Sequence, residues 1–173
     1  PQHMLDLPAL LNVFPDARVI FTHRDPRQVV GSAASLAWNQ TIIYSDHADP
    51  DRVGREWLRK TELMISRMMR ARRDMAPHRV IDVRYEDMDR DWRGTMTRVY
   101  RFLGLDMAPA VGGMENYIER SRALKRTPHR YSLDEFGLRE EEVLDRLGAY
   151  IRSYDVPMEG AGDVPSSAFG NMR

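Results

Sequence analysis

Arg24 and Ser32, eight positions apart, are the residues of this sequence best suited to bind an anion. The apolar run over residues 17–22 predicts a buried strand, and Asp25, followed by a proline, predicts the N-cap of a helix. Arg24 would then place a planar cation beside the free N–H groups of a helix N-terminus, a geometry that binds phosphate. Ser32 would lie in the second turn with its hydroxyl towards the same oxygen atoms, and Gly31 would leave room for the ligand. The spacing leaves an alternative open, in which neither residue binds a ligand. Arg24 would then be a surface arginine in a capping turn, and Ser32 would pack on a neighbouring helix.

The elements around this pair predict an α/β protein. Apolar residues at helical spacing predict helices over residues 5–14, 27–38, 52–75, 90–103 and 139–154, and a weaker one over 106–124, interrupted by Gly112-Gly113. A second strand is predicted over residues 79–84, with a turn at 85–87. Residues 39–50 and 125–136 are predicted as loops. A strand, a short turn and a helix, with a second strand later, favour a parallel sheet.

Composition and charge limit the class of protein. The 173 residues, 42% of them hydrophobic, predict one domain over 1–156 and a disordered tail over 157–173, where Gly, Pro and Ser dominate. The 26 basic and 26 acidic residues balance, which removes a global basis for nucleic-acid binding. The absence of cysteine excludes disulfides and favours the cytoplasm. No apolar run reaches the ~20 residues of a transmembrane helix.

Three blocks of residues, in order along the chain, resemble a known family. They are His3…Phe14-Pro15-Asp16-Ala17…Thr22-His23-Arg24-Asp25-Pro26; Arg84-Tyr85-Glu86-Asp87-Met88 with Phe102-Leu103-Gly104-Leu105; and His129-Arg130-Tyr131-Ser132-Leu133…Phe136-Gly137-Leu138. Together they are similar to the bacterial branch of the sulfotransferases. These enzymes transfer a sulfuryl group from 3′-phosphoadenosine 5′-phosphosulfate (PAPS) to a hydroxyl or amine.

The resemblance implies a role for each candidate ligand of the nucleotide. Arg24 and Ser32 would bind the 3′-phosphate of PAPS. Tyr85 would contact the adenine ring or its sugar, with a half-buried strand-end tyrosine as the alternative. The basic loop would cover the nucleotide, and Arg126, His129 and Arg130 are its candidate ligands; a solvated run of charges is the alternative there.

His3 is the residue to which the resemblance assigns general-base catalysis. An imidazole with a pKa of about 6.5 suits proton removal near neutral pH. A frayed terminal histidine is the alternative, and His23 is a competing base, although it is expected to shape the turn. Glu86 and Asp87 could suggest a metal or an acid–base pair, but we interpret them as exposed turn residues, since the family uses no metal.

The resemblance also implies a three-layer α/β fold similar to P-loop NTPases, here N-terminally incomplete. The family holds the 5′-phosphosulfate on a glycine-containing loop, and this sequence has no glycine before Gly31. The complete enzyme is expected to act on a small-molecule, lipid or carbohydrate acceptor. The isolated chain is expected to be inactive and to associate with itself or with a complementing N-terminal segment. A non-catalytic nucleotide- or partner-binding module is the alternative; a P-loop kinase relative is disfavoured, because no Walker-type loop is present.

Overall fold

A computed structural model describes residues 2–123 and 131–160. Two strands lie in these ranges, β1 (Val19–His23) and β2 (Val80–Arg84). The α-helices of the described residues are α1 (Leu7–Val13), α2 (Pro26–Tyr44), α3 (Pro50–Arg72), α4 (Tyr85–Arg90), α5 (Trp92–Leu103), α6 (Ala108–Ala123) and α7 (Glu140–Tyr154). Short 3₁₀ helices occur at Gln2–Met4, Pro77–Arg79 and Asp134–Phe136.

The two strands pair in parallel, as the sequence predicts. Val19 stands opposite Val80 at one end of the ladder, and His23 stands opposite Arg84 at the other. Parallel strands cannot be joined by a tight turn, so the chain between them is a long connection that includes α2 and α3. The α/β class and the parallel sheet are therefore confirmed.

The chain divides into two compact units. The first comprises Pro1–Ala17, Arg24–Met75 and Arg130–Met158, and the second comprises Arg18–His23, Ala76–His129 and Glu159–Arg173. In the first unit α3 packs against α2 and α7. Its inward stripe has helical spacing, with Leu58, Ile65 and Met68 buried. Val30, Leu138 and Leu147 are buried apolar residues of the same unit. This stripe explains why a helix rich in arginine on its other face is held in place.

The second unit has its own small core. The buried residues Phe21 and Val83 lie on the sheet, and Val99 and Ile118 lie on α5 and α6. Gly104 ends α5 with φ +70°, the left-handed conformation of a helix C-cap, which the sequence predicts. No helix of the described residues has both the length and the apolar character to cross a bilayer.

Three local predictions differ from the structure. Helix α2 continues to Tyr44 through residues expected to form a loop, and the Thr41 hydroxyl donates to the Ala37 carbonyl within it, at 2.7 Å. Residues 85–87 begin helix α4 instead of forming a turn. Gly112 and Gly113 do not interrupt α6, since glycine inside a helix costs only about 1 kcal/mol relative to alanine. Local polarity and glycine content alone do not reveal whether a helix continues.

Candidate functional site

Arg24 and Ser32 both lie in the first unit, at the start of α2. Arg24 is half-buried and directly precedes the N-cap residue, Asp25, while Ser32 is exposed. Seven helical positions correspond to a rotation of about 700°, so Ser32 lies on the same face of α2 as position 25. Ser32 is therefore an exposed residue on the face of α2 that continues from its N-cap.

The first turn of α2 has fewer free donors than the sequence suggests. Pro26 has no N–H, and the backbone N–H of Arg27 donates to Asp25 Oδ1 at 2.9 Å. The N–H of Val29 donates to the carbonyl of Asp25 at 3.1 Å. The Asp25 cap thus engages part of the helix N-terminus that the sequence leaves free beside Arg24. Binding of a phosphate here must rely mainly on side chains.

Arg27 neutralises the buried carboxylate of Asp25. Its Nη2 lies 2.7 Å from Asp25 Oδ2, and its Nε lies 3.1 Å from the same oxygen. Its Nη1 also donates to Glu140 Oε2 at 2.8 Å, which connects α2 to the first turn of α7. Hydrogen bonds to Asp25 raise the pKa of Arg27 above its ordinary value, despite the opposing effect of burial. Arg27 therefore removes the negative charge that would otherwise repel an anion near Arg24.

Gly31 has a different role from the one expected. A Cβ atom at this position would lie 2.8 Å from Cδ2 and Cε2 of the Tyr131 ring, closer than real Cβ contacts allow. The hydroxyl of Tyr131 donates to the carbonyl of Gln28, one helical turn earlier, at 3.1 Å. The space that Gly31 leaves is filled by an aromatic side chain of the same unit, not kept for a ligand.

His23, the competing base, is almost wholly buried in the second unit. Its exposure is 2%, and its Nε2 lies 2.7 Å from Asp82 Oδ1 on the neighbouring strand. In the parallel register Asp82 pairs with Phe21, so the contact to His23 is a diagonal one on the same face of the sheet. A buried histidine engaged with a carboxylate supports its predicted structural role at the strand end.

The remaining sequence candidates are placed as follows. His3 is exposed in the short helix Gln2–Met4 of the first unit. Tyr85 begins α4 in the second unit; it is half-buried overall, with its hydroxyl oxygen buried. Arg126, His129 and Arg130 lie outside the described residues, as do residues 161–173 of the predicted tail.

Glu86 and Asp87 form ion pairs with arginines. Glu86 contacts Arg90 one turn along α4, and Asp87 lies 3.3 Å from Arg98 of α5. Among the described residues, no three His, Cys, Asp or Glu side chains are grouped in a way that could hold a metal ion. The two carboxylates are thus engaged in surface pairing.

One feature of the second unit has no counterpart in the sequence predictions. An apolar cavity of about 350 Å³ lies among α4, α5 and α6, lined by Met88, Trp92, Met96, Ala110, Gly113, Met114, Tyr117 and Ile118. Its volume is within the range of small-molecule pockets. The helical spacing of the lining residues predicts ordinary core packing, so nothing in the sequence distinguishes the cavity.

Comparison with known proteins identifies relatives along most of the chain. The model of the sulfotransferase family matches residues 1–109. Two curated relatives are the omega-hydroxy-beta-dihydromenaquinone-9 sulfotransferases Stf3 of Mycobacterium bovis and Mycobacterium tuberculosis. Each is 28% identical to this chain over an alignment of 156 residues, and the match covers 86% of this chain and 39% of the relative. The chain therefore spans about two fifths of the length of these relatives.

Solved structures agree with this assignment. The sulfotransferase STF9 from Mycobacterium avium superposes with a TM-score of 0.80 at 30% identity, covering 92% of this chain and 42% of that one. STF1 from Mycobacterium tuberculosis superposes with a TM-score of 0.73 at 29% identity, covering 86% and 38%. The sulfotransferase domain of the curacin biosynthetic pathway, at 13% identity and a TM-score of 0.55, shares the fold. The resemblance carried by the three sequence blocks is confirmed, and this chain belongs to the sulfotransferase family.

Proposed function

We propose that this protein transfers a sulfuryl group from PAPS to a hydroxyl or amine group of an acceptor. The family match carries the proposal, supported by the position of Arg24 and Ser32 at the start of α2. An arginine directly before the N-cap residue and an exposed serine in the second turn of the helix are residue types suited to bind a phosphate group. The capped first turn of α2 gives these two side chains the main part in binding.

The proposed chemistry breaks the S–O bond between the sulfate and the 5′-phosphate and forms a new S–O bond to the acceptor. PAPS supplies the sulfuryl group, and its other part leaves as adenosine 3′,5′-bisphosphate. Arg24 and Ser32 hold the 3′-phosphate, which orients the donor without taking part in bond breaking. His3 accepts the proton that the acceptor loses, and its exposed imidazole is accessible for this role.

Further ligands of the nucleotide are proposed from the family resemblance. Tyr85 is proposed to contact the adenine or its sugar. Arg126, His129 and Arg130 are proposed to contact the phosphates. No metal is proposed, because the family that the chain resembles uses none.

The acceptor is proposed to be a small molecule, a lipid or a carbohydrate. The two curated relatives are named for a hydroxylated menaquinone, which supports a lipid alcohol. The lack of cysteine supports a cytoplasmic location.

Nucleotide binding tests the proposed phosphate site directly. Arg24→Ala should weaken binding of adenosine 3′,5′-bisphosphate by about tenfold to a hundredfold, since a charge-assisted hydrogen bond contributes about 1.5–3 kcal/mol. Binding of adenosine 5′-monophosphate, which lacks the 3′-phosphate, should change little. Ser32→Ala should act in the same direction and more weakly. The measurement is isothermal titration calorimetry on the purified chain.

A matched control is Arg59→Ala, which removes an exposed arginine of the same unit paired with Glu56. It should leave both affinities unchanged. Equal losses for the two nucleotides in Arg24→Ala would show that Arg24 does not recognise the 3′-phosphate. Selective binding without turnover in the full-length parent protein would favour the non-catalytic binding module.

A further inference from the structure

Tyr131 contacts the helical turn that carries Ser32 at two points. Its ring lies over Gly31, where an added Cβ would be only 2.8 Å from two ring carbons. Its hydroxyl donates to the carbonyl oxygen of Gln28 at 3.1 Å. In an α-helix the carbonyl of residue 28 is also the acceptor for the N–H of residue 32. Tyr131 thus bonds to the same oxygen atom that fixes the backbone of Ser32.

This contact joins parts of the chain that are far apart in sequence, since Tyr131 and Gln28 are 103 positions apart. The hydroxyl oxygen also lies 3.4 Å from Gln28 Oε1, so the side chain of Gln28 takes part in the contact. The ring is half-buried and is the group closest to the vacant Cβ position of Gly31. An aromatic side chain has few rotatable bonds, so contacts at both its ring carbons and its hydroxyl fix its position well.

We propose that Tyr131 and Gly31 form a positioning pair that sets the orientation of the Ser32 hydroxyl, and that recognition of the 3′-phosphate depends on this pair. The inference rests on the proposed function of Ser32. Tyr131 acts through the helix and is a positioning residue, not a catalytic one. Glycine is required at position 31 because any larger residue displaces the ring from the turn.

The physical reason lies in the geometry of a hydroxyl donor. A hydrogen bond weakens steeply once its angle falls below about 120°, so a shift of the turn that takes the Ser32 hydroxyl beyond this limit reduces what Ser32 contributes to phosphate binding. The loss of affinity should therefore affect only nucleotides that carry a 3′-phosphate. If the pair had only a structural role, its loss would lower folding stability. It would not change the preference of the protein for one nucleotide over the other.

The experiment measures dissociation constants for adenosine 3′,5′-bisphosphate and adenosine 5′-monophosphate in wild type, Tyr131→Phe and Gly31→Ala, well below each melting temperature. Tyr131→Phe keeps the ring and removes the bond to Gln28, so it should weaken binding of the bisphosphate by about threefold to tenfold and leave the monophosphate unchanged. Gly31→Ala displaces the ring and should have at least the same effect. Tyr154→Phe is the matched control, because it removes a tyrosine hydroxyl that contacts Met68 Sδ elsewhere in the same unit.

Each outcome decides the inference. A selective loss for the bisphosphate in both variants, with no change in Tyr154→Phe, supports the positioning pair. If Tyr131→Phe leaves both affinities unchanged, or weakens the binding of both nucleotides equally, the positioning role is overturned. The proposed phosphate site would not be affected by that result. A wild-type protein without any preference for the 3′-phosphate would instead refute the proposed function, and the inference with it.

Discussion

The ion pair between Asp25 and Arg27 should contribute strongly to the folding stability of the first unit. The Asp25 side chain is 0% exposed, and Arg27 is 17% exposed. Three groups of Arg27 reach this carboxylate: the backbone N–H, Nε and Nη2. Arg27→Ala would leave a fully buried carboxylate with the backbone N–H as its remaining contact to residue 27. Removing one partner of a buried pair destabilises a protein by about 3–5 kcal/mol, and we expect a loss in this range.

Glu140, the second ion-pair partner of Arg27, allows a comparison between an exposed and a buried ion pair. Glu140 is 57% exposed, so solvent screens its interaction with Arg27. Glu140→Gln should therefore lower the free energy of unfolding by less than about 1 kcal/mol. Arg27→Lys keeps a positive charge but cannot form the bidentate contact with Asp25. Its loss of stability should therefore lie between those of Arg27→Ala and Glu140→Gln.

Urea unfolding of the purified chain, followed by circular dichroism, measures these differences as shifts in midpoint at constant slope. A raised arginine pKa stabilises the fold at every pH below the ordinary arginine range, so the contribution of Arg27 should be equal at about pH 6 and about pH 9. The double variant Asp25→Asn/Arg27→Ala should recover part of the stability, because it also removes the buried charge. A loss of less than about 1 kcal/mol in Arg27→Ala would refute this reasoning, since it would mean that the carboxylate does not depend on Arg27.

Other predictions concern glycines and histidines. Gly112→Ala should raise the free energy of unfolding by about 0.5–1 kcal/mol in urea denaturation, since its Cβ would meet no neighbouring atom; a loss of stability would contradict this. Gly54→Ala should lower it by at least about 1–3 kcal/mol, because its Cβ would overlap the carbonyl oxygen of Phe136; an unchanged midpoint would argue against that contact. His3→Ala, in a form of the protein that transfers sulfuryl groups, should reduce turnover about a hundredfold or more with donor affinity nearly unchanged, as steady-state kinetics would show. Normal turnover would remove His3 from the mechanism, and His23→Ala would be tested next.

Local signals were sufficient where the structure depends on neighbours in sequence. The N-cap of α2 at Asp25 and the C-cap of α5 at Gly104 follow from residue types within one turn. The positions of Arg24 and Ser32 relative to α2 follow from the same signals. Their roles as phosphate ligands came from the family resemblance and stay predictions.

Contacts between distant residues were beyond the sequence reasoning. The bond of His23 to Asp82 spans 59 positions, and that of Arg27 to Glu140 spans 113. The apolar cavity was missed for a related reason, because its walls belong to three helices whose packing no single helical pattern reveals. The residue types predict the cap at Asp25, but the loss of the Arg27 N–H as a free donor is visible only in the structure.

Gly31 and Gly54, two closely packed glycines of the first unit, should evolve under different rules. The obstacle above Gly54 is a backbone carbonyl, that of Phe136, which every amino acid carries. Glycine should therefore persist at position 54 among homologues of this fold, whatever side chain occupies position 136. The obstacle above Gly31 is the side chain of Tyr131. Positions 31 and 131 should therefore covary, so that a larger residue at 31 occurs only where 131 has lost its aromatic ring.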